Sequence, residues 1–226
     1  RVADPRVAPD GTRIAFTLSV TDLEANRRRT DLYLTDTSGA PPRRLTQHEA
    51  SDTSPRWAPD GKTLYFLSTR SGTQQVWKLG LDGGEAERVT DEPLDVDALE
   101  VSPDGTRLFF SMAVFPGTSP ADTQARLAAQ AAQKGRGLLY DRLFVRHWDT
   151  WKDGTRNHLF AYPLPGGPAR DLMPGLDADC PSKPWGGSEE FAVSPDGQRV
   201  DRTAPGLSPG DDRATNIPLY EGPADA

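Results

Sequence analysis

"WAPDGKTLYFLSTR", residues 57–70, sets a Pro-Asp-Gly tripeptide between two apolar runs. The tripeptide returns in "VAPDGTRIAFTLS" at 7–19, "VSPDGTRLFFSMA" at 101–113 and "VSPDGQRV" at 193–200. Each residue has a local reason to be there. Pro presets φ for the first central position of a turn, Asp suits the second, and Gly supplies the left-handed conformation that starts the return strand. In the return strand Leu64, Phe66 and Ser68 alternate with Tyr65, Leu67 and Thr69. Both faces are largely apolar, as in a strand covered on both sides.

The copies begin at Pro9, Pro59, Pro103 and Pro195, separated by 50, 44 and 92 residues. The last gap is twice 46, so the spacing predicts one further repeat inside it with an altered turn. Lys152-Asp153-Gly154 is the candidate for that turn, or for one in a neighbouring hairpin. Between the turns a second pattern recurs, in "TDLYLTDTSGAPPRRLT" at 30–46, "QQVWKLGLDGGEAERVT" at 74–90 and "NHLFAYPLPGGPARDLM" at 157–173. Each reads as a strand, a Gly-bearing turn and a shorter strand with Arg beside an aliphatic residue. That makes about four strands in roughly 45 residues, the arithmetic of a propeller blade. One blade cannot bury both of its faces, so blades pack on one another around an axis. The expected fold is therefore all-β: a β-propeller of four-stranded antiparallel blades over residues 1–226, incomplete at about four to five blades, with one inserted helix. The Pro-Asp-Gly turns are scaffold.

Three stretches depart from the repeat. In "FPGTSPADTQARLAAQAAQKGRG" at 115–137, Ser119 can cap, Pro120 suits the first helical position, Asp122 complements the dipole and Gly135 ends the run. This predicts a surface helix from about Pro120 to Lys134. Residues 138–160 crowd Tyr140, Phe144, Trp148 and Trp151 beside Arg142, Arg146, His147 and Asp149. They read either as a blade hairpin with Trp packed between blades, or as a place where Arg146 or Trp148 faces the axis and touches a ligand. After Val200 the expected apolar strand is interrupted by Asp201 and Arg202, so that blade is incomplete or its strand is poorly formed.

Composition narrows the function. Hydrophobic residues make up 35% of the chain and charged residues 26%, ordinary for a globular protein. A net charge of −7 argues against nucleic acid as a main partner, and Arg27-Arg28-Arg29 reads as a solvated loop. The longest apolar stretch, Leu108 to Phe115, is too short to cross a bilayer. The amino end already reads as strand and turn rather than as a leader, so the expected location is cytoplasmic, or periplasmic or secreted if a signal was removed. Cys180 is the sole cysteine; it allows no internal disulfide and has no activating base nearby in sequence.

Chemistry is hard to find. Gly186-Gly187-Ser188-Glu189-Glu190 has Glu where a nucleophile elbow needs its last Gly, and it leads into a strand. His48-Glu49 lacks a second His, the three histidines are scattered, and "DEPLDVDALE" at 91–100 lacks the Gly of an EF-hand. No catalytic residue, metal or cofactor is expected of this chain. Glu189 and Glu190 are the remaining polar pair: two carboxylates able to hold a peptide's amino end, or a solvated edge.

The repeated SPDG hairpins resemble the WD40-like propeller repeats shared by TolB-type proteins and the prolyl oligopeptidase (S9) serine peptidases. "YDRLFVRHWDTWKDG", then "HLF", and later "WGGSEEFAVSPDG" look like the amino-terminal propeller of the acylaminoacyl-peptidase and dipeptidyl-peptidase 5 branch. The Ala-rich inserted helix fits that branch too. The resemblance implies a propeller that gates access to a carboxy-terminal α/β-hydrolase domain and helps select short peptides. That domain's Ser, Asp and His match no position here, so the hydrolase partner is expected beyond this chain. It also implies, from related dipeptidyl peptidases, a substrate-anchoring role for Glu189 and Glu190. The alternative is a TolB-like interaction module without enzyme activity. A third outcome is an unstable fragment, and the unpaired edges of an open propeller invite a homo-oligomer.

Overall fold

The computed structural model describes residues 1–135, 137, 139–140, 145–204 and 218–224, with the His147 side chain set aside. Arg142 and Phe144, and most of the stretch after Ala204, lie outside the described residues. Blade I is β1 (Val2–Val7), β2 (Arg13–Asp22), β3 (Arg27–Asp36) and β4 (Arg43–Arg44), hydrogen-bonded in that order. Blade II repeats it with β5 (Asp52–Trp57), β6 (Thr63–Ser68), β7 (Gln75–Gly80) and β8 (Glu87–Arg88). Blade III opens with β9 (Asp97–Val101) and β10 (Arg107–Val114). A helix α1 (Pro120–Ala131) and a hairpin of β11 (Arg146–His147) and β12 (Thr150–Trp151) intervene, and β13 (Arg156–Pro163) and β14 (Arg170–Asp171) complete the sheet. Blade IV is described as β15 (Phe191–Val193), β16 (Arg199–Thr203) and β17 (Leu219–Pro223).

The spacing argument fails in one place. β10 pairs residue for residue with β13, from Arg107 opposite Pro163 to Val114 opposite Arg156. Residues 115–155 are thus an excursion between adjacent strands of one blade, not a further blade. Lys152-Asp153-Gly154 leads from the excursion's hairpin into β13. The helix stops at Ala131, three residues short of the expected end, with Ser119 accepting from the Asp122 amide as its cap. Asp201 and Arg202 do not break the strand either: β16 runs through both, with Val200 fully buried.

Alternation along each strand fills the space between blades. Phe66 joins Leu32 and Leu79 in the core between blades I and II. Its neighbour Leu67 points the other way, into the cluster of Leu99, Leu108, Phe110 and Phe160 against blade III. Phe109 and Leu159 face blade IV, where they meet Phe191 and Val200. Each fully buried Phe contributes about 2–3 kcal/mol of transfer free energy.

The turns form a second, polar layer of scaffold. Asp10, Asp60, Asp104 and Asp196 each accept an amide two residues on, and Asp153 does the same at Thr155. Neighbouring turns also pack in series. A Cβ on Gly105 would sit 3.2 Å from Pro59, and one on Gly197 would sit 3.2 Å from Asp104. Arg13 donates to the Gly61 carbonyl at 2.7 Å, and Arg107 to that of Gly197 at 2.9 Å.

The meander places these turns at one end of every blade. The opposite end receives the second-to-third strand connections and the segments that enter each new blade. The excursion 115–155 and the leader 172–190 both emerge there, on what is called here the insertion face.

Candidate functional site

The first strands β1, β5 and β9 contact one another across the blades and so line the axis. Each contains a left-handed residue, Asp4 (φ 48°), Ser54 (φ 53°) or Ala98 (φ 49°), and β1 and β5 slip register there. Such a bulge re-aims the side chains that follow it. Two residues on stand Arg6, Arg56 and Glu100, each three before the proline of its turn.

Arg56 is the centre of this group, with its side chain 7% exposed. It donates from Nε to Glu100 at 2.9 Å, from Nη1 to Asp4 and the Pro55 carbonyl at 2.8 Å, and from Nη2 to Ser188 Oγ at 2.9 Å. Arg6 closes the network on Asp4 at 2.8 Å, and Trp57 Nε1 donates to the Arg6 carbonyl. One guanidinium thereby joins blades I, II and III to the leader of blade IV. A buried arginine is tolerable only with its donors matched in this way. Aligning the repeats on their prolines would have exposed these charges; read strand by strand, they look like ordinary polar alternation.

Ser188 begins one 3₁₀ turn, Ser188–Glu190, that enters β15. Glu189 and Glu190 part company there. Glu190 accepts from the Ser182 amide at 2.7 Å and from its hydroxyl at 2.6 Å. Gly186 makes this closure feasible: a Cβ there would fall 2.5 Å from Glu190 Oε1 and 2.6 Å from Ser182 N and O. Glu189 is exposed, its carboxylate folded back over Gly187. Cys180, fully buried in the same leader, has its thiol pushed up to about 12 by burial and then by the nearby Glu190 charge. It is no nucleophile.

The other two candidate residues lie in the excursion's hairpin. Trp148 is 77% exposed and Trp151 54%, so neither packs between blades. Trp148 meets the edge of Trp185, itself 68% exposed, at 5.7 Å and 82°. Trp148 also holds φ at 54°, a costly conformation for a bulky residue. Arg146 lies over Trp151 at 5.4 Å, and Tyr140 stacks on the same ring at 5.8 Å while donating to the Lys152 carbonyl. Trp185, which sequence reasoning passed over, ties the predicted residues together: it touches Trp148 and lies four residues before Glu189. Arg146 is engaged within its own hairpin. Trp148 and Trp185 thus meet where the excursion and the leader emerge, and the same leader carries Ser188 to Arg56 and leaves Glu189 exposed.

His158 is buried between Asp171 at 2.8 Å and the Leu176 carbonyl at 2.9 Å, a structural arrangement. Among the described residues no three His, Cys, Asp or Glu side chains converge as metal ligands do, and no helix is long and apolar enough to cross a membrane.

Residues 1–124 match the family model described as the TolB beta propeller domain. The chain is 28% identical over 202 residues to Dipeptidyl-peptidase 5 of Porphyromonas gingivalis, covering 88% of this chain and 29% of that protein. It is 37% identical over 126 residues to Uncharacterized peptidase YuxL of Bacillus subtilis, covering 54% and 19%. The chain therefore spans less than a third of these curated relatives. In fold it is similar to acylaminoacyl peptidase of Pyrococcus horikoshii, with a TM-score of 0.67 at 15% identity over 97% of this chain and 30% of that one. With more than half of its length in the family match and its sheets arranged as successive blades, the chain belongs to the TolB beta propeller domain family.

Proposed function

We propose that this chain is the propeller region of an S9-type serine exopeptidase, where it gates access to a carboxy-terminal α/β-hydrolase domain and helps to select short peptides. The observation that carries this reading is the similarity to Dipeptidyl-peptidase 5 across 88% of the chain. Catalysis would reside in the hydrolase domain. This chain's share is binding and orientation at the insertion face.

Within that share, the exposed Glu189 carboxylate takes the peptide's amino end by a charge-assisted hydrogen bond. Trp148, backed by Trp185, offers apolar area to a substrate side chain. Glu190 and Arg146 position the two: Glu190 by fixing the leader through Ser182, Arg146 by bracing Trp151.

Hydrolysis of aminoacyl, acylaminoacyl and dipeptidyl chromogenic substrates, by this chain and by the longer polypeptide containing it, tests the reading. Turnover is expected from the longer polypeptide alone. Glu189→Gln should raise KM for substrates with a free amino end and spare acylated ones. A longer polypeptide that is silent on the whole panel would leave a TolB-like interaction module instead.

A further inference from the structure

Arg13 and Arg107 hold one position, four residues after the proline of their turns, and each reaches the glycine carbonyl of the next blade's turn. Arg13 shows what that place offers a guanidinium. Besides the Gly61 carbonyl at 2.7 Å it takes the Asp10 carboxylate at 3.1 Å, and it lies 5.3 Å over the Trp57 ring. Carbonyl, carboxylate and ring surround one cation.

The junction between blades II and III lacks this tether. Thr63 stands where Arg13 and Arg107 do, and its hydroxyl is spent within its own turn on Asp60. Among the described residues no side chain donates to the Gly105 carbonyl, although Gly105 holds the place of Gly61 and Gly197 in its turn. Register shows a second change on the same face. Blade I sets Ala15, Leu34 and Arg43 side by side toward blade II, and blade III sets Phe109, Ala161 and Arg170 toward blade IV. Blade II has Tyr65, Lys78 and Glu87 there, toward blade III. A threonine and a glutamate thus stand where both neighbouring blades carry arginines.

A cavity of about 360 Å³ opens at this junction, between Tyr65, Lys78, Glu87 and Val89 of blade II and Gly105 and Leu164 of blade III. It lies at the turn end of the blades, away from the insertion face. Its cations are already engaged, Lys78 with Glu87 at 3.0 Å and Arg88 with Asp91. Lys78 is 44% and Glu87 70% exposed, so their pair holds weakly and yields to a better donor. The Gly105 carbonyl, the Glu87 carboxylate and the Tyr65 ring then match the three partners of Arg13.

We propose that this groove binds the guanidinium group of an arginine side chain presented by a peptide segment. The guanidinium donates to Glu87 in place of Lys78 and to the Gly105 carbonyl, and its flat face rests on Tyr65. The inference rests on the repeated geometry of blades I to III. It stands apart from the peptidase reading, which concerns the other end of the blades.

The test is a titration of the isotopically labelled 226-residue chain, followed by nuclear magnetic resonance. The probe is a glycyl-arginyl-glycine peptide blocked at both ends, which gives Glu189 no free amino group to hold. Saturable shifts should appear at Tyr65 and Gly105 with a dissociation constant on the order of 1 mM. The same peptide with lysine should bind more weakly, because an ammonium lacks the planar fork. The same peptide with glutamate should not bind. Thr63→Arg supplies the chain's own guanidinium and should abolish binding, and Glu87→Gln should weaken it about tenfold. Lys78→Gln removes the competing ammonium and should tighten it. The neighbouring blades accept arginine at the Thr63 place, and Glu87 is exposed, so far-UV circular dichroism of both variants should match the wild type. No saturable shift overturns the proposal, as does a stronger response to the glutamate peptide. Binding that survives both Thr63→Arg and Glu87→Gln lies elsewhere on the chain and overturns it equally.

Discussion

Arg56 of blade II donates a 2.9 Å hydrogen bond to the hydroxyl of Ser188, a residue 132 positions later in the leader of blade IV. The same guanidinium holds Asp4 of blade I and Glu100 of blade III. Blade order therefore depends on one side chain as well as on apolar packing. The same bond ties the 3₁₀ turn that carries Glu189 to blade II.

Arg56→Met should destabilise the chain by about 1–3 kcal/mol, because Asp4 and Glu100, still largely covered, keep only Arg6 as an ionic partner. Arg56→Lys should recover only part of that, since one ammonium cannot serve three directions at guanidinium geometry. Urea unfolding checks both. A change below about 0.5 kcal/mol, ordinary for a surface site, would show that the network adds nothing to the apolar contacts.

The leader 172–190 should be locally fragile at Gly186. Gly186→Ala forces a methyl into the Ser182–Glu190 clasp and should cost about 1–3 kcal/mol. Cys180 reports the event. In the wild type its thiol should stay inert to a disulfide reagent at pH 8, being buried and pushed up to about 12. In Gly186→Ala or Glu190→Gln the labelling rate should rise well before global unfolding. An unchanged rate would mean that the clasp does not hold the leader.

Acid should loosen the turns. Hydrogen bonds from the Ser102 hydroxyl and the Thr106 amide hold the Asp104 carboxyl below the usual range. The Thr12 amide and hydroxyl do so for Asp10, and the Ser194 hydroxyl and Gln198 amide for Asp196. A depressed carboxyl contributes stability that is present above its unfolded pKa of about 3.9 and lost as pH falls through the folded one. Asp179 acts oppositely: burial raises its carboxyl, so its contribution favours the fold at low pH and fades as pH rises through the raised value. Asp104→Asn keeps an acceptor in the turn but removes the titration. The unfolding midpoint of that variant should fall less steeply than the wild type's below about pH 4. Equal slopes would assign the acid sensitivity elsewhere.

What was legible in the sequence is what local backbone chemistry demands. Pro, Asp and Gly each suit a successive position of the same tight turn by their local backbone preferences, so the four hairpins and their blades could be read without tertiary information. The partner of β10 could not. Whether the next paired strand begins at residue 115 or at 156 depends on hydrogen bonds across a gap that no turn signal marks, and spacing alone counted a blade there. Glu189 and Glu190 were legible as carboxylates but not as two different groups, because only the 3₁₀ turn sends one to Ser182 and the other to solvent. Of the two readings open for Trp148, packing between blades fails, because Trp148 and Trp185 stand exposed against each other.

Trp148 itself gives the sharpest contrast between stability and use. Its φ of 54° is strained for a bulky side chain, and its indole is 77% exposed, so the backbone bears a cost that burial does not repay. Glycine accepts that conformation freely. Trp148→Gly should therefore leave the fold as stable as the wild type or stabilise it by up to about 1 kcal/mol, the relief of strain offsetting the lost edge contact with Trp185. Trp148→Ala loses the contact and keeps most of the strain, so it should be the less stable of the two. Thermal unfolding of the three proteins decides the order. If Trp148→Gly proves clearly less stable than the wild type, the Trp148–Trp185 contact outweighs the strain and is a structural clasp. If it proves as stable, the exposed indole is kept for what it can touch, and the same variant in the longer polypeptide should show a raised KM for peptides with a large apolar side chain.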